Sequence, residues 1–540
     1  MADGARPYDV VVIGGGINGA GIARDAAMRG LAVLLLEQDD FGSGTSSWSS
    51  RLIHGGLRYL EHAELSLVYE SLYERRRLLQ IAPHLVRPLA ISIPIYADSR
   101  RGPLMLRAGM LLYDLLSLGK ALPRHRMLDR ESLLAEEPGV NPDGLRGAAQ
   151  YYDAQATYPE RLVVENVLAA AEAGADVRNY SPATAIEIHG GRVAAVRFHD
   201  RGEGGEVRVR TRAVVNAAGP WVDRVLARAD APFPRLMGGT RGSHIVVGPF
   251  AGAPQNAFYV EARADGRPIF IIPWNRQYLI GTTDIRYDGD PAEARASEAE
   301  VGYLLDETNR VFPGAALARS GIHYAYAGVR PLPFRRAGPE AAITRRHIVK
   351  SHRDRARGLY SVIGGTLTTY RALAEEVVDR IAAGERLRAA PCRTRDAPLP
   401  GGAGLDEAGR RLRELPGMNA DTADRLLRVY GSRALSFAER AAAEARPGSL
   451  QAALLAAEVG HVTRRELARS LVDIFHRRTM IGLGPDLGRA ATARIAALAA
   501  RTLSWDEGEK ARQLAALEAY RLRLACPRGT PDAGEMSGAN

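Results

Sequence analysis

The chain has 540 residues, 46% apolar and 25% charged, more than a single hydrophobic core serves, so it reads as a globular protein of about two to four folding units. Its two cysteines, Cys392 and Cys526, exclude a disulfide framework and a cysteine-based metal or redox centre, and no metal is predicted. The net charge of +10 is carried almost wholly by arginine, with lysine only at Lys120, Lys350 and Lys510, and such a field suits anionic substrates, nucleic acid or an anionic membrane surface alike.

The first seven residues lack the charged start and apolar run of a signal peptide, which predicts a cytoplasmic protein. A strand is predicted over Tyr8 to Ile13, followed by Gly14-Gly15-Gly16-Ile17-Asn18-Gly19 and a small-residue helix over Ala20 to Arg29. Gly14 allows a sharp turn, Gly16 lets backbone approach a pyrophosphate, and Gly19 lets the helix pack closely on the strand. The next strand, Leu31 to Leu36, ends on Glu37, about 20 residues beyond the glycines, where a ribose-binding acid is expected. Gly14, Gly15, Gly16, Asn18, Gly19 and Glu37 are therefore predicted to hold a dinucleotide.

Gly42 to Ser50 is a run of glycine and hydroxyl residues suited to wrap a ligand, with Thr45, Ser46 and Ser47 as contacts; a flexible linker is the alternative. Helical periodicity covers Ala63 to Leu79, and Ala90 to Tyr96 alternates like a strand. Leu104 to Leu118 is apolar but interrupted by Arg107 and Asp114, so no membrane span is predicted. Arg161 to Ala173 reads as a helix, Ala175 to Arg178 as a strand, and Ala183 to Arg212 as a meander of three strands. Ala213 to Trp221 reads as a separate buried strand that breaks at small residues, with Gly219 placed for close backbone approach to the cofactor. Alternating strands at His244 to Val247, Ile269 to Ile272 and Tyr278 to Ile280 predict an antiparallel substrate sheet. The Pro- and Gly-rich stretch from Pro391 to Gly404 marks a boundary, which gives an oxidoreductase region at 1–395, a helical domain at 396–525 and a disordered tail at 526–540.

Three strings carry a resemblance: Ile53-His54-Gly55-Gly56-Leu57-Arg58-Tyr59-Leu60-Glu61 with the serines before it, Gly328-Val329-Arg330-Pro331-Leu332, and Gly364-Gly365-Thr366-Leu367-Thr368-Thr369-Tyr370-Arg371. Together with the glycine loop they closely resemble the FAD-dependent glycerol-3-phosphate dehydrogenases of the amino-acid-oxidase-like flavoprotein group, and Tyr430 to Arg433 and Phe475 to Leu483 resemble that family's helical domain. The resemblance implies an α/β fold with a Rossmann-like FAD-binding domain, a mixed antiparallel-sheet substrate domain and a helical C-terminal domain. It also implies hydride transfer from C2 of sn-glycerol 3-phosphate to FAD, yielding dihydroxyacetone phosphate, with electrons passed to a membrane quinone by an enzyme docked peripherally on the inner membrane. A homodimer is left open.

The resemblance makes Arg58, with Tyr59, the phosphate anchor and sets Arg330 over the substrate. His244 is the preferred proton acceptor and His54 the runner-up, while Thr282 or Thr283 would bond substrate hydroxyls. Gly364, Gly365, Thr366, Leu367 and Thr368 would hold the flavin end. Thr366 stands where many members have a phosphate-binding lysine, so Arg51 or Arg345 is expected to help Arg58 and Arg330 hold the anion. Alternative activities are an oxidase delivering electrons to oxygen and a dehydrogenase of another polyol or hydroxy acid. An RNA-associated flavoprotein would need basic patches interleaved with aromatics, which the sequence lacks, so no nucleic-acid partner is predicted.

Overall fold

Two sheets and a helical region make up the computed structural model, which describes residues 7–56, 64–117, 122–202, 204–336 and 346–527. The first sheet runs Ile348–Ser351, Leu359–Ile363, Glu206–Asn216, Tyr8–Ile13, Val33–Leu36, Asp176–Arg178, and all its inner neighbours pair in parallel. Val10, Val11, Val12, Leu34, Leu35, Val214 and Val215 have no exposed surface, the near-continuous apolar run that a parallel sheet covered on both faces demands. Helix Ile17–Met28 is buried along most of its length because its glycines and alanines let it nest against Pro159–Glu172 and Tyr370–Glu385.

The strand predicted to stop at Arg212 and the one predicted to begin at Ala213 are a single strand, Glu206–Asn216. Its first half pairs antiparallel with Arg192–His199 and exposes alternate residues, whereas its second half enters the parallel sheet beside Tyr8–Ile13. The change from alternating to continuous apolar residues reflects a change of surroundings, from a sheet wet on one face to one covered on both, and not a break in the backbone.

The second sheet is larger and mostly antiparallel, in the order Ile285–Arg286, Met237–Val247, Gln277–Gly281, Pro268–Trp274, Ala257–Glu261, Val86–Tyr96, Leu145–Ala156, Leu52–Ile53, with Ile322–Pro333 also pairing Met237–Val247. Sequence periodicity missed Leu145–Ala156, Ala257–Glu261 and Ile322–Pro333. It also missed helix Glu298–Val311, although Ser297 and Glu300 form a capping box at its start.

From Leu405 onward the described elements are helices, and buried ion pairs clamp them to the first sheet's layer. Arg161 bonds Glu165 and Glu466, while Arg477 and Arg478 both reach Asp40 at 2.6 and 2.8 Å. Burial pushes the Asp40 carboxyl up, but the two guanidiniums outweigh it and hold it at about 2.

Candidate active site

Gly14 closes the first strand with φ +111°, and a Cβ there would lie 2.6 Å from the Ala217 carbonyl. A Cβ on Gly19 would run into the Gly14 carbonyl, so the helix N-terminus approaches the turn as closely as backbone permits. At Gly16 a side chain would meet nothing nearer than Ser46 Oγ at 3.4 Å, and Gly16 gives the helix no side-chain cap. The space in front of this N-terminus is a backbone-lined cradle with dipole and amide groups suited to a pyrophosphate. Asn18 Oδ1 is buried there with no partner among the described residues, while its Nδ2 donates to the Gly364 carbonyl at 3.2 Å.

Glu37 accepts from the Gly15 amide at 2.6 Å and the Asp39 amide at 2.9 Å. Desolvation pushes its carboxyl up to about 7 against those two donors. Thr368 Oγ1 accepts from the His54 amide at 3.1 Å, which brings the Gly364–Thr369 turn against the segment after Leu52–Ile53. Gly219, with φ +57°, opens the turn after Glu206–Asn216. These residues fit a dinucleotide laid along the C-terminal edge of the parallel sheet.

The hydroxyl-rich segment joins this cradle to the second sheet. Ser46 Oγ accepts from the Ile17 amide at 3.0 Å, Thr45 Oγ1 donates to the Val329 carbonyl at 2.8 Å, Ser47 Oγ donates to the Gly42 carbonyl at 2.6 Å, and Ser50 Oγ lies 2.9 Å from His244 Nε2. A linker would not be fixed at four points along six residues. His244 is buried and stacks on Tyr326, ring centroids 4.9 Å apart, because the two are directly opposed in adjacent strands. Tyr326 in turn donates to the Ser49 carbonyl at 2.9 Å.

Arg330 lies on the same strand face, opposite Thr240. Its guanidinium donates to Asp284 Oδ1 at 2.9 Å, Thr282 Oγ1 at 2.9 Å and the Thr283 carbonyl at 3.1 Å. Gly242, between Thr240 and His244, leaves the room this requires: a Cβ there would meet both guanidinium nitrogens and Thr282 Oγ1. Arg330 thereby leans toward His244. Burial first, then Arg330 and Arg51, push the imidazole down to about 3, so the ring is neutral at physiological pH.

Several expected contacts change. Arg51 is not an anion anchor: it is buried, bonded to both oxygens of Glu160 at 2.9 and 2.8 Å, and lies 4.4 Å over the Trp274 ring. Thr283 turns its hydroxyl to the buried Glu300 and accepts from the Ser243 amide, which leaves Thr282 as the threonine beside Arg330. Thr366 accepts from the Thr369 amide at 3.2 Å, closing the turn that leads into helix Tyr370–Glu385, a bond lysine cannot accept. Arg58, Tyr59 and Arg345 lie outside the described residues. Ser50, Tyr326 and Asp284 went unread as site residues; the alternation of Tyr324 and Tyr326 upstream of Arg330 was the available signal.

His84 is also buried, and desolvation pushes it, like His244, down to about 3. Below the unfolded-state value of 6.5 the denatured chain takes up protons that the folded chain refuses, so stability falls as pH drops. Each ring is expected to cost about 1.4 kcal/mol per pH unit between roughly pH 6 and pH 4. Urea midpoints at pH 7 and 5 check this, and His84→Asn should flatten the slope.

Fold and site together define a flavin-dependent oxidoreductase. The FAD dependent oxidoreductase family profile matches residues 9–380, and that of the C-terminal domain of alpha-glycerophosphate oxidase matches residues 392–510. A glycerol-3-phosphate dehydrogenase of Synechocystis is 44% identical over 96% of this chain and 97% of its own length. That of Pseudomonas aeruginosa is 40% identical over 89% and 93%, and a D-erythritol 1-phosphate dehydrogenase of Brucella abortus is 38% identical over 87% and 94%. The solved FAD complex of glycerol-3-phosphate dehydrogenase from Bacillus halodurans superposes with a TM-score of 0.79 at 29% identity, covering 97% of this chain and 96% of that one. The chain belongs to the FAD-dependent glycerol-3-phosphate dehydrogenase family, and its cofactor is FAD.

Proposed function

We propose that the protein oxidises sn-glycerol 3-phosphate to dihydroxyacetone phosphate, with FAD taking the hydride from C2 and a membrane quinone as final acceptor. The observation that carries this reading is the segment 45–50, which bonds the cofactor helix at Ser46 and the buried neutral His244 at Ser50, so that one stretch of backbone fixes both relative to each other. His244 takes the C2 hydroxyl proton, Arg330 and Thr282 hold the anionic and hydroxyl groups, and Gly14, Gly16, Gly19, Asn18, Gly364 and Gly365 hold the cofactor. Mixing the enzyme anaerobically with glycerol 3-phosphate should bleach the flavin absorbance; a persistent yellow form that D-erythritol 1-phosphate bleaches would move the substrate to the activity named for the Brucella relative. Peroxide formed in step with turnover, without dye or quinone reduction, would make the protein an oxidase.

The missing lysine makes a separate test. Thr366→Lys should lower KM for glycerol 3-phosphate about tenfold, since a charge-assisted hydrogen bond is worth ~1.5 to 3 kcal/mol. It should also cost about 1 kcal/mol of stability through the lost bond to the Thr369 amide.

Membrane docking is supported by helix Pro103–Leu116. It buries Leu106, Met110 and Tyr113 but exposes Leu104 at 83%, along with Met105, Leu111, Leu112 and Leu115; Leu65 and Tyr69 are also exposed on the neighbouring helix. So much clustered apolar surface beside the exposed Arg107 suits an anionic bilayer. The double variant Leu111→Glu, Leu115→Glu should bind anionic vesicles at least tenfold more weakly in sedimentation, with dye-linked activity unchanged.

A further inference from the structure

The C-terminal helices meet the second sheet directly behind His244. Tyr326, stacked on His244, has its other neighbour in Trp48 at 5.7 Å; Trp48 contacts Tyr520 at 6.1 Å, and Tyr520 contacts His476 at 4.6 Å. The Arg523 guanidinium lies 5.2 Å over the Trp48 ring. Helix Glu507–Arg523 ends by accepting, at the Leu524 carbonyl, the amide of Ala325, the residue next to Tyr326. The far end of the chain is thus bonded to the strand that carries Tyr326 and Arg330.

Inside this seam lies a cavity of about 10 Å³, lined by Trp48, Arg51, Tyr326, His476 and Tyr520 among others. That is room for one water. His476 is buried, and among the described residues neither of its ring nitrogens has a hydrogen-bond partner; the same holds for the buried Arg51 Nε. Burial, with Arg477 and Arg521 nearby, holds the His476 ring neutral, so it presents one donor and one acceptor. Buried polar atoms of this kind are as a rule satisfied by internal water.

We propose that one water is bound in this seam by His476, and that Tyr520 and His476, residues of the C-terminal helices, are positioning residues for the oxidation: through Trp48 and Tyr326 they fix the plane of the His244 ring. The inference rests on His244 as proton acceptor. With Tyr520 present, Trp48 is held between two rings and cannot swing off Tyr326, and Tyr326 cannot tilt away from the imidazole. Removing Tyr520 takes away one of the two rings that hold Trp48 and leaves Tyr326 anchored through its hydroxyl to Ser49, without touching the cofactor cradle or Arg330.

The test uses the FAD-loaded enzyme. Tyr520→Ala should lower kcat per bound flavin about tenfold, leave KM within twofold and shift the acidic limb of the kcat profile, while Tyr520→Phe, which keeps the ring, restores kcat. A crystal structure of the holoenzyme should show a water within hydrogen-bond distance of a His476 ring nitrogen, and His476→Phe should displace it. A kcat per flavin in Tyr520→Ala equal to wild type, or a dry cavity, overturns the proposal; if that variant does not fold, Tyr520→Leu is read by the same criteria. His244→Asn separates the two ideas: wild-type turnover there rejects the base assignment, whereas loss of turnover there with no effect at Tyr520 rejects only the positioning.

Discussion

Replacing His244 with Asn is expected to lower kcat for glycerol 3-phosphate oxidation about 10²- to 10⁴-fold, the usual contribution of a positioned general base, with flavin content unchanged. Asparagine retains a polar group for Ser50, which lies 2.9 Å from Nε2 in the native protein, so the hydrogen bond at that position is kept while the proton acceptor is lost. An imidazole held at about 3 is a poor base by itself. The cationic field that depresses it comes partly from Arg330, and an anionic substrate on that guanidinium would offset the field. The acidic limb of kcat should therefore lie above the value for the free enzyme's histidine, and the same limb should be absent from His244→Asn. Anaerobic single-turnover bleaching followed from pH 5 to pH 8 measures both.

Arg330→Met is expected to lower kcat/KM about 10²- to 10³-fold, as removal of a preorganised donor to developing negative charge does. Arg330→Lys should recover only part of this. The guanidinium donates to Asp284, Thr282 and the Thr283 carbonyl at once, a planar fork that a single ammonium cannot reproduce. The effect should divide between the parameters: loss of anion binding raises KM, and loss of charge stabilisation lowers kcat. In Arg330→Met the buried imidazole also loses one of its two cationic neighbours, so its titration should move up toward 6.5, visible by NMR of the histidine ring.

The cofactor half of the site was legible because its constraints are local. A glycine loop between strand and helix, with an acid after the following strand, is a short-range pattern in which each residue type has one physical cause, and the geometry at Gly14, Gly19 and Glu37 follows from it. The substrate half depends on strand register. Nothing in the neighbourhood of His244 announces Tyr326, 82 positions away, or Arg330 leaning over Gly242; those follow from Met237–Val247 pairing with Ile322–Pro333. Arg51 shows the opposite failure. An arginine in a family-specific string looked like a ligand contact, but whether its guanidinium meets a substrate or Glu160 is decided by a helix more than 100 residues later in the chain. Thr366 was legible as a departure from the family pattern, while its part in the turn before helix Tyr370–Glu385 is visible only in the bond to the Thr369 amide.

The bond from Asn18 to the Gly364 carbonyl spans 346 residues. The parallel sheet is likewise assembled from strands at 8–13, 206–216 and 359–363, so its inner strands cannot all be in place until two thirds of the polypeptide has left the ribosome. The N-terminal glycine loop, first to be made, must wait for its closing partner. During synthesis Tyr8–Ile13 lacks one partner strand until Glu206–Asn216 is made, an exposure that high contact order imposes on a nascent chain. A chain interrupted before Gly364 therefore carries the whole glycine fingerprint without the carbonyl that Asn18 bonds.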